Sequence, residues 1–266
     1  MRWGMLLGAA LLALAVTTAA EAQSDPAPFE QRYNEAISAG LSEFNDRDYV
    51  AAGDAFSRAL ALAETAGEAR NFERGKAHAL RAIAISAASF RRSRVSSGAA
   101  GDAFSDFAQA RTLLYPFAAV DAPDGSLTPA QEIYAQALAW DGALRTRMRL
   151  GGYTIPEAFR PGDSARAYIV AGPDDPPDCS ISMHRPAPHY PAAAMFDGMS
   201  GTVIVRLRFN ERGEAISIDA PIGVGTPSYL AAVRAVLSDW TASFDITRPP
   251  GCRVPPVYFV RVSFRA

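Results

Sequence analysis

From Thr202 to Phe209 the chain alternates without a break: Val203, Val205, Leu207 and Phe209 fall on one side, and Thr202, Ile204, Arg206 and Arg208 on the other. A period of two is the pattern of a strand with one face against an apolar core. Asn210-Glu211-Arg212-Gly213 then supplies a turn in which Gly213 can take a positive φ, and Glu214 to Asp219 resumes the alternation with Ile216 and Ile218. Thr226 and Pro227 are the cap and first position of a helix. Leu230, Val233, Val236, Leu237 and Trp240 follow at spacings of three and four, a stripe that can cover one sheet face. A last alternating strand runs from Val257 to Phe264. These elements predict a three-stranded antiparallel sheet backed by a helix.

In this order, Pro188-x-Tyr190-Pro191, Ala194, Gly198, Gly201, the Val203 to Phe209 strand, Gly213, the Leu230, Ala232, Val233 and Trp240 helix, and Val260, Val262 and Phe264 resemble the C-terminal domain of the TonB energy-transducer family. The resemblance covers about residues 186–266. It implies that the last strand, Val257 to Phe264, offers an edge to which an extended peptide adds as a further strand. Val257, Phe259, Val260 and Arg261 would form that edge, and Pro188, Tyr190 and Pro191 would shape the approach. The implied ligand is the amino-terminal segment of an outer-membrane TonB-dependent receptor. Ala187 and His189 stand where glutamines often flank the proline, and Thr241 to Phe244 replaces a basic run.

Met1 and Arg2 precede an apolar run from Trp3 to Ala20, and Ala20-Glu21-Ala22 is the small-x-small pattern read by signal peptidase. Residues 1–22 are therefore expected to be a cleaved signal peptide, with the mature protein in the periplasm. Left uncleaved, the run would anchor the chain in the inner membrane, being close to the ~18 apolar residues of a spanning helix. It lacks the serine and histidine that the resembled family keeps in its anchor. With 26 basic and 28 acidic residues the net charge is −2, which provides no field for a phosphate backbone. Nucleic acid is excluded on that ground, and dimerisation is left open.

Residues 29–150 read as helix throughout. Leu41, Phe44, Tyr49, Ala51, Ala55, Phe56, Ala59 and Leu60 resemble the helix-turn-helix of a tetratricopeptide repeat, and Gly53-Asp54-Ala55-Phe56-Ser57 recurs as Gly101-Asp102-Ala103-Phe104-Ser105. Thr128-Pro129-Ala130-Gln131 opens a further helix with a capping box. Residues 151–185 are rich in proline and read as a linker in which Ala165 to Val170 can pair briefly as a strand.

Cys179 and Cys252 are the two cysteines, and in an exported chain they are expected to pair. The rival reading, a metal site from Cys179, His184, His189 and Cys252, suffers from five-residue spacings broken by Pro186 and Pro188. His78, in an Ala/Leu helical pattern, reads as a surface or groove histidine. Trp140 and Trp240 read as core. Arg206, Arg208 and Arg261 project from the face opposite the apolar stripe, a solvated face or a site for an acidic partner. No nucleophile elbow, phosphate loop or glycosidase carboxylate pair is present in the sequence. The reading is a non-enzymatic adaptor without cofactor or metal, with a tetratricopeptide-like helical domain and a TonB-like α+β module. The alternative is a helical scaffold of an envelope assembly, with the α+β module as its docking or self-association tail.

Overall fold

The computed structural model describes residues 28–91, 96–150, 168–169, 180–191, 201–247 and 252–264. The fold is mixed α+β. Among the described residues, five helices come first: α1 Pro28–Asn45, α2 Tyr49–Thr65, α3 Asn71–Arg91, α4 Ser97–Ala118 and α5 Pro129–Leu150. Each packs on the next, and α3 also touches α5. Alanine makes this possible, since Ala52, Ala55, Ala59 and Ala63 of α2 are buried and let the neighbouring helices lie close. The two copies of the repeated pentapeptide fall on α2 and α4, and both bury their Ala-Phe pair, Ala55-Phe56 and Ala103-Phe104. The expected capping box is formed: Gln131 N donates to Thr128 Oγ1 at 3.1 Å, and Thr128 N to Gln131 Oε1 at 3.3 Å.

The strands are β1 Tyr168–Ile169, β2 Ser180–His184, β3 Gly201–Phe209, β4 Ala215–Val224, β5 Thr241–Asp245 and β6 Val257–Phe264, with helix α6 Pro227–Arg234 between β4 and β5. One antiparallel sheet has the order β1-β6-β3-β4, and β2 with β5 forms a separate two-stranded ribbon. Gly213 turns the β3–β4 hairpin at φ 79°, the conformation expected of it. The predicted three strands are therefore present with two additions. Tyr168–Ile169, inside the segment read as able to pair, joins β6. The β2–β5 ribbon is new.

The alternation of β3 and β6 sorts their side chains as predicted, but both faces are buried. Val203, Val205, Leu207 and Phe209 join Tyr258, Val260, Val262 and Phe264 in a core with Tyr229, Val233 and Trp240. On the other face Ile204, Val257 and Phe259 belong to the core of the helical array. The molecule is thus layered, with α5 on one side of the sheet and α6 with the ribbon on the other.

The helix expected to reach Trp240 ends at Arg234 instead. Leu237–Asp239 is a tight three-residue turn, and Trp240 leads straight into β5. A spacing of three, from Leu237 to Trp240, is served as well by a 3₁₀ turn as by an α-helix. The Thr241 to Asp245 alternation then claims the following residues for a strand whose Ala242 and Phe244 are buried. Thr226 holds the cap position, but its hydroxyl lies against that of Ser228 and makes no side-chain cap bond to the helix.

Candidate functional site

A strand-addition site needs an edge with unpaired main chain, so the geometry of each edge decides what the sheet can accept. Phe209 N donates to the Pro256 carbonyl at 2.9 Å, and the β3–β6 register pairs Arg208 with Val257 and Leu207 with Tyr258. Antiparallel pairs alternate between bonded and non-bonded, so Tyr258, Val260, Val262 and Phe264 turn their main chain toward β3. Val257, Phe259, Arg261 and Ser263 turn theirs outward. The middle of this outward edge is filled by the chain itself, because β1 pairs Tyr168 with Arg261 and Ile169 with Val260. An edge expected to be free is thus occupied by the protein's own main chain, a correction to the sequence reading. Val260, on that reading part of the edge, spends its N–H on the β3 ladder.

The side chains of the predicted edge are not exposed. Val257 and Phe259 are buried against the helical array, Phe259 with its ring 5.4 Å from that of Tyr134 on α5. Arg261 is 2 % exposed, and its Nη1 donates to Asp141 Oδ2 at 2.8 Å. Arg145 reaches the same carboxylate with Nε, 2.9 Å from both oxygens. Burial by itself raises the pKa of Asp141, but the guanidiniums of Arg145 and Arg261 outweigh it and hold the carboxyl well below the usual carboxylate range. Gly142 lets α5 approach this closely, since a Cβ there would lie 2.6 Å from Arg261 Cδ and 2.8 Å from Thr202 Cγ2.

The other two arginines of this face serve the same contact. Arg206 is 4 % exposed; its Nη2 donates to Asp219 Oδ2 at 2.6 Å and to the Gly125 carbonyl at 3.0 Å. Its Nη1 donates to the Ser126 carbonyl at 3.1 Å and to Gln131 Oε1 at 3.2 Å. Arg208 Nε donates to Asp121 Oδ2 at 2.8 Å. The face read as solvated, or as awaiting an acidic partner, is therefore docked on the protein's own α4–α5 loop and α5. The acidic partner is internal. The signal lay in Asp121, Asp141 and Gln131, but a single sequence does not say which carboxylate lies opposite which arginine.

Pro188, Tyr190 and Pro191 are half-buried beside the other end of β6. The Tyr190 ring stands edge-on to Tyr229 and Phe264, at 5.8 and 6.0 Å, and its hydroxyl is 3.0 Å from that of Tyr229. Trp240, core as expected, donates its indole N–H to the Pro186 carbonyl at 3.1 Å, pinning the approach segment. Trp140 is likewise buried, 5.7 Å from the ring of Phe90.

The remaining edge, β4, is blunted. Its register with β3 slips between Ile204 and Arg206, Pro221 has no N–H to offer, and Arg234 donates to the outward carbonyl of Ala220 at 3.0 Å. A shallow hollow of about 360 Å³ lies there between Ile218, Asp219, Ala220, Pro221, Arg234 and Leu237.

His78 is a correction too. It is 8 % exposed, with Nδ1 2.8 Å from Asp106 Oδ1, and Arg81 Nε donates to the other oxygen of the same carboxylate at 2.6 Å. Burial would raise the pKa of Asp106, but His78 and Arg81 lower it. The cluster ties α3 to α4. Residues 1–22, Cys179, Ala194 and Gly198 lie outside the described residues, and among those described no helix is long and apolar enough to cross a membrane. The chain matches no protein-family model, no curated protein and no solved structure.

Proposed function

We propose that this chain is an exported, non-enzymatic adaptor of the periplasm whose C-terminal module, TonB-like in its order of elements, captures an extended peptide by strand addition at β6. One observation carries the reading: the β6 edge accepts an antiparallel strand, supplied by Tyr168–Ile169. Main-chain pairing of this kind does not depend on which side chains the visitor brings. A two-residue strand makes few bonds, each worth about 0.5–1.5 kcal/mol net, so a longer peptide can displace it. Val257, Phe259 and Ser263 then offer outward main chain beyond the stretch that β1 covers. The ligand that best suits the resemblance is the amino-terminal segment of an outer-membrane TonB-dependent receptor.

The test uses two prolines in the intact protein. Tyr168→Pro removes a β1 donor and is expected to raise capture of outer-membrane receptors from envelope extracts. Ser263→Pro removes an outward N–H of β6 without touching the β3 ladder and is expected to lower it. Equal capture by both variants and the parent would sink the proposal.

The disulfide belongs to the same reading. Ser180, next to Cys179, pairs with Asp245, and Cys252 Sγ is 3.7 Å from the Asp245 carbonyl. The ribbon register therefore supports a Cys179–Cys252 bridge. A second reading, in which the tetratricopeptide-like array is the binding scaffold, draws on the hollow of about 470 Å³ lined by Asp46, Tyr49, Val50 and Arg91, where Val50 is 59 % exposed. Alanine at Tyr49 or Arg91 would abolish capture on that reading and leave it unchanged on the first.

A further inference from the structure

The β2 strand has an edge of a different kind from the other two. Phe244 N donates to the Gly213 carbonyl at 2.7 Å, so the main chain of Phe244 faces away from β2. The register pairs Phe244 with Ile181 and Ala242 with Met183. These are accordingly the non-bonded pairs of the ribbon, and Ile181 and Met183 turn both N–H and C=O outward. Among the described residues no backbone group meets them. Where β6 is filled by β1 and β4 carries a proline, a register slip and a capping arginine, β2 carries none of these protections.

We infer that the outer edge of β2 is the surface through which a second copy of this chain joins, about a two-fold axis at Ser182. The sequence Ser180-Ile181-Ser182-Met183-His184 is self-complementary in that arrangement. Ile181 of each copy lies opposite Met183 of the other, and these two residues exchange both of their outward main-chain bonds. Ser182 faces Ser182 on the axis, in the closer, non-bonded type of pair, and its small side chain permits that approach. Ile181 and Met183, half-buried on the apolar side of the ribbon, gain apolar neighbours from the other copy on the same side. In the two outer rows the backbone of His184 is registered with that of Ser180, and Ser180 is in turn registered with Asp245. Each of these two outer rows thus holds one imidazole and one carboxylate, and no like charges face each other. The product is a continuous four-stranded sheet, β5-β2 joined to the same pair in the other copy. The contact is isologous, so it closes at two and does not propagate.

Sedimentation equilibrium on the purified protein tests this. A concentration-dependent dimer is expected. Met183→Pro deletes an outward N–H while leaving the β5 ladder intact, so it is expected to weaken the dimer on the order of tenfold or more beyond the effect of Met183→Ala, which loses the same packing but keeps the N–H, one bond being lost from each copy. Ser182→Cys provides the positive counterpart. Residues in such a pair lie about 4.5 Å apart at Cα, within the ~4.4–6.8 Å range of a disulfide, so this variant should cross-link two copies in air, whereas Asp245→Cys and the parent should not. A protein that stays monomeric at every concentration, a dimer indifferent to Met183→Pro, or a Ser182→Cys that fails to cross-link would overturn the inference. So would a monomer that takes an added peptide along β2.

Discussion

The two faces of the β3–β6 sheet differ in the chemistry that covers them. On the α6 side Val203, Val205, Leu207, Tyr258, Val260 and Phe264 close with Tyr229 and Trp240 into an apolar and aromatic core. On the α5 side Arg208 and Arg261 cross to the helical array and end on Asp121 and Asp141, while Arg206 pairs with Asp219 of β4 and reaches across to the Gly125 and Ser126 carbonyls and Gln131. The first face works by removing apolar surface from water, which tolerates reshaping. The second interleaves Ile204, Val257 and Phe259 with ion pairs, and the fully buried pair, Arg261 with Asp141, is intolerant of a missing partner. This difference makes the helical array part of the module's fold, a neighbour the sheet depends on.

The largest test of that comparison is a cut. Residues 186–266 alone would expose Ile204, Val257 and Phe259 and strip Arg206 and Arg261 of their α5-side partners. The fragment is expected to lack a cooperative unfolding transition by circular dichroism; a sharp transition would show the α5 face to be dispensable. Next, Asp141→Ala leaves Arg145 and Arg261 buried without their carboxylate and is expected to cost about 3–5 kcal/mol in urea unfolding. On the apolar face Leu207→Ala is expected to cost about 2–5 kcal/mol. Pairing it with Leu207→Met separates the two chemistries, since the volume-conserving change should cost less than about 1.5 kcal/mol, whereas no neutral substitute rescues Asp141. Gly142→Ala, which drives a methyl into Arg261 and Thr202, is expected to cost about 1–3 kcal/mol. Smallest is Arg208→Ala, whose ion pair with Asp121 is partly solvated, at under about 1 kcal/mol and weaker still in high salt.

The same contrast predicts a pH dependence. Asp141 has a folded-state pKa below the unfolded carboxylate value of about 3.9. Its contribution is therefore complete above that value and is lost as pH falls below it toward the folded pKa. Stability measured by urea unfolding should decline below about pH 4 in the parent, and less steeply in Asp141→Asn. An equal slope in both would mean that the buried carboxylate does not titrate with folding.

How much was legible follows from what each pattern encodes. The Thr202 to Phe209 alternation, the Gly213 turn and the Thr128–Gln131 box are local, and each is found where the chain pattern puts it. The β2 strand escaped because Ile181 and Met183 are only two apolar positions amid prolines. Thr241 to Asp245 escaped because a helical spacing through Trp240 ran up to its door. The occupied β6 edge was half-legible: Ala165 to Val170 reads as able to pair, but not with what. The alternation puts the arginines on the correct face, but it does not show their burial, because Gln131, Asp121 and Asp141, which cover them, lie 75, 87 and 120 residues away in the chain.

Side-chain periodicity by itself determined the strands, which residues share a face, and where the helices begin, because those properties depend on neighbours within a few positions. Tertiary structure alone decided what lies on each face and along each edge. A carboxylate at position 141 meets a guanidinium at 261 only when a helix and a strand far apart in the chain are brought together, and whether an edge is filled, blunted or bare depends on main-chain groups that carry no mark in the residue letters.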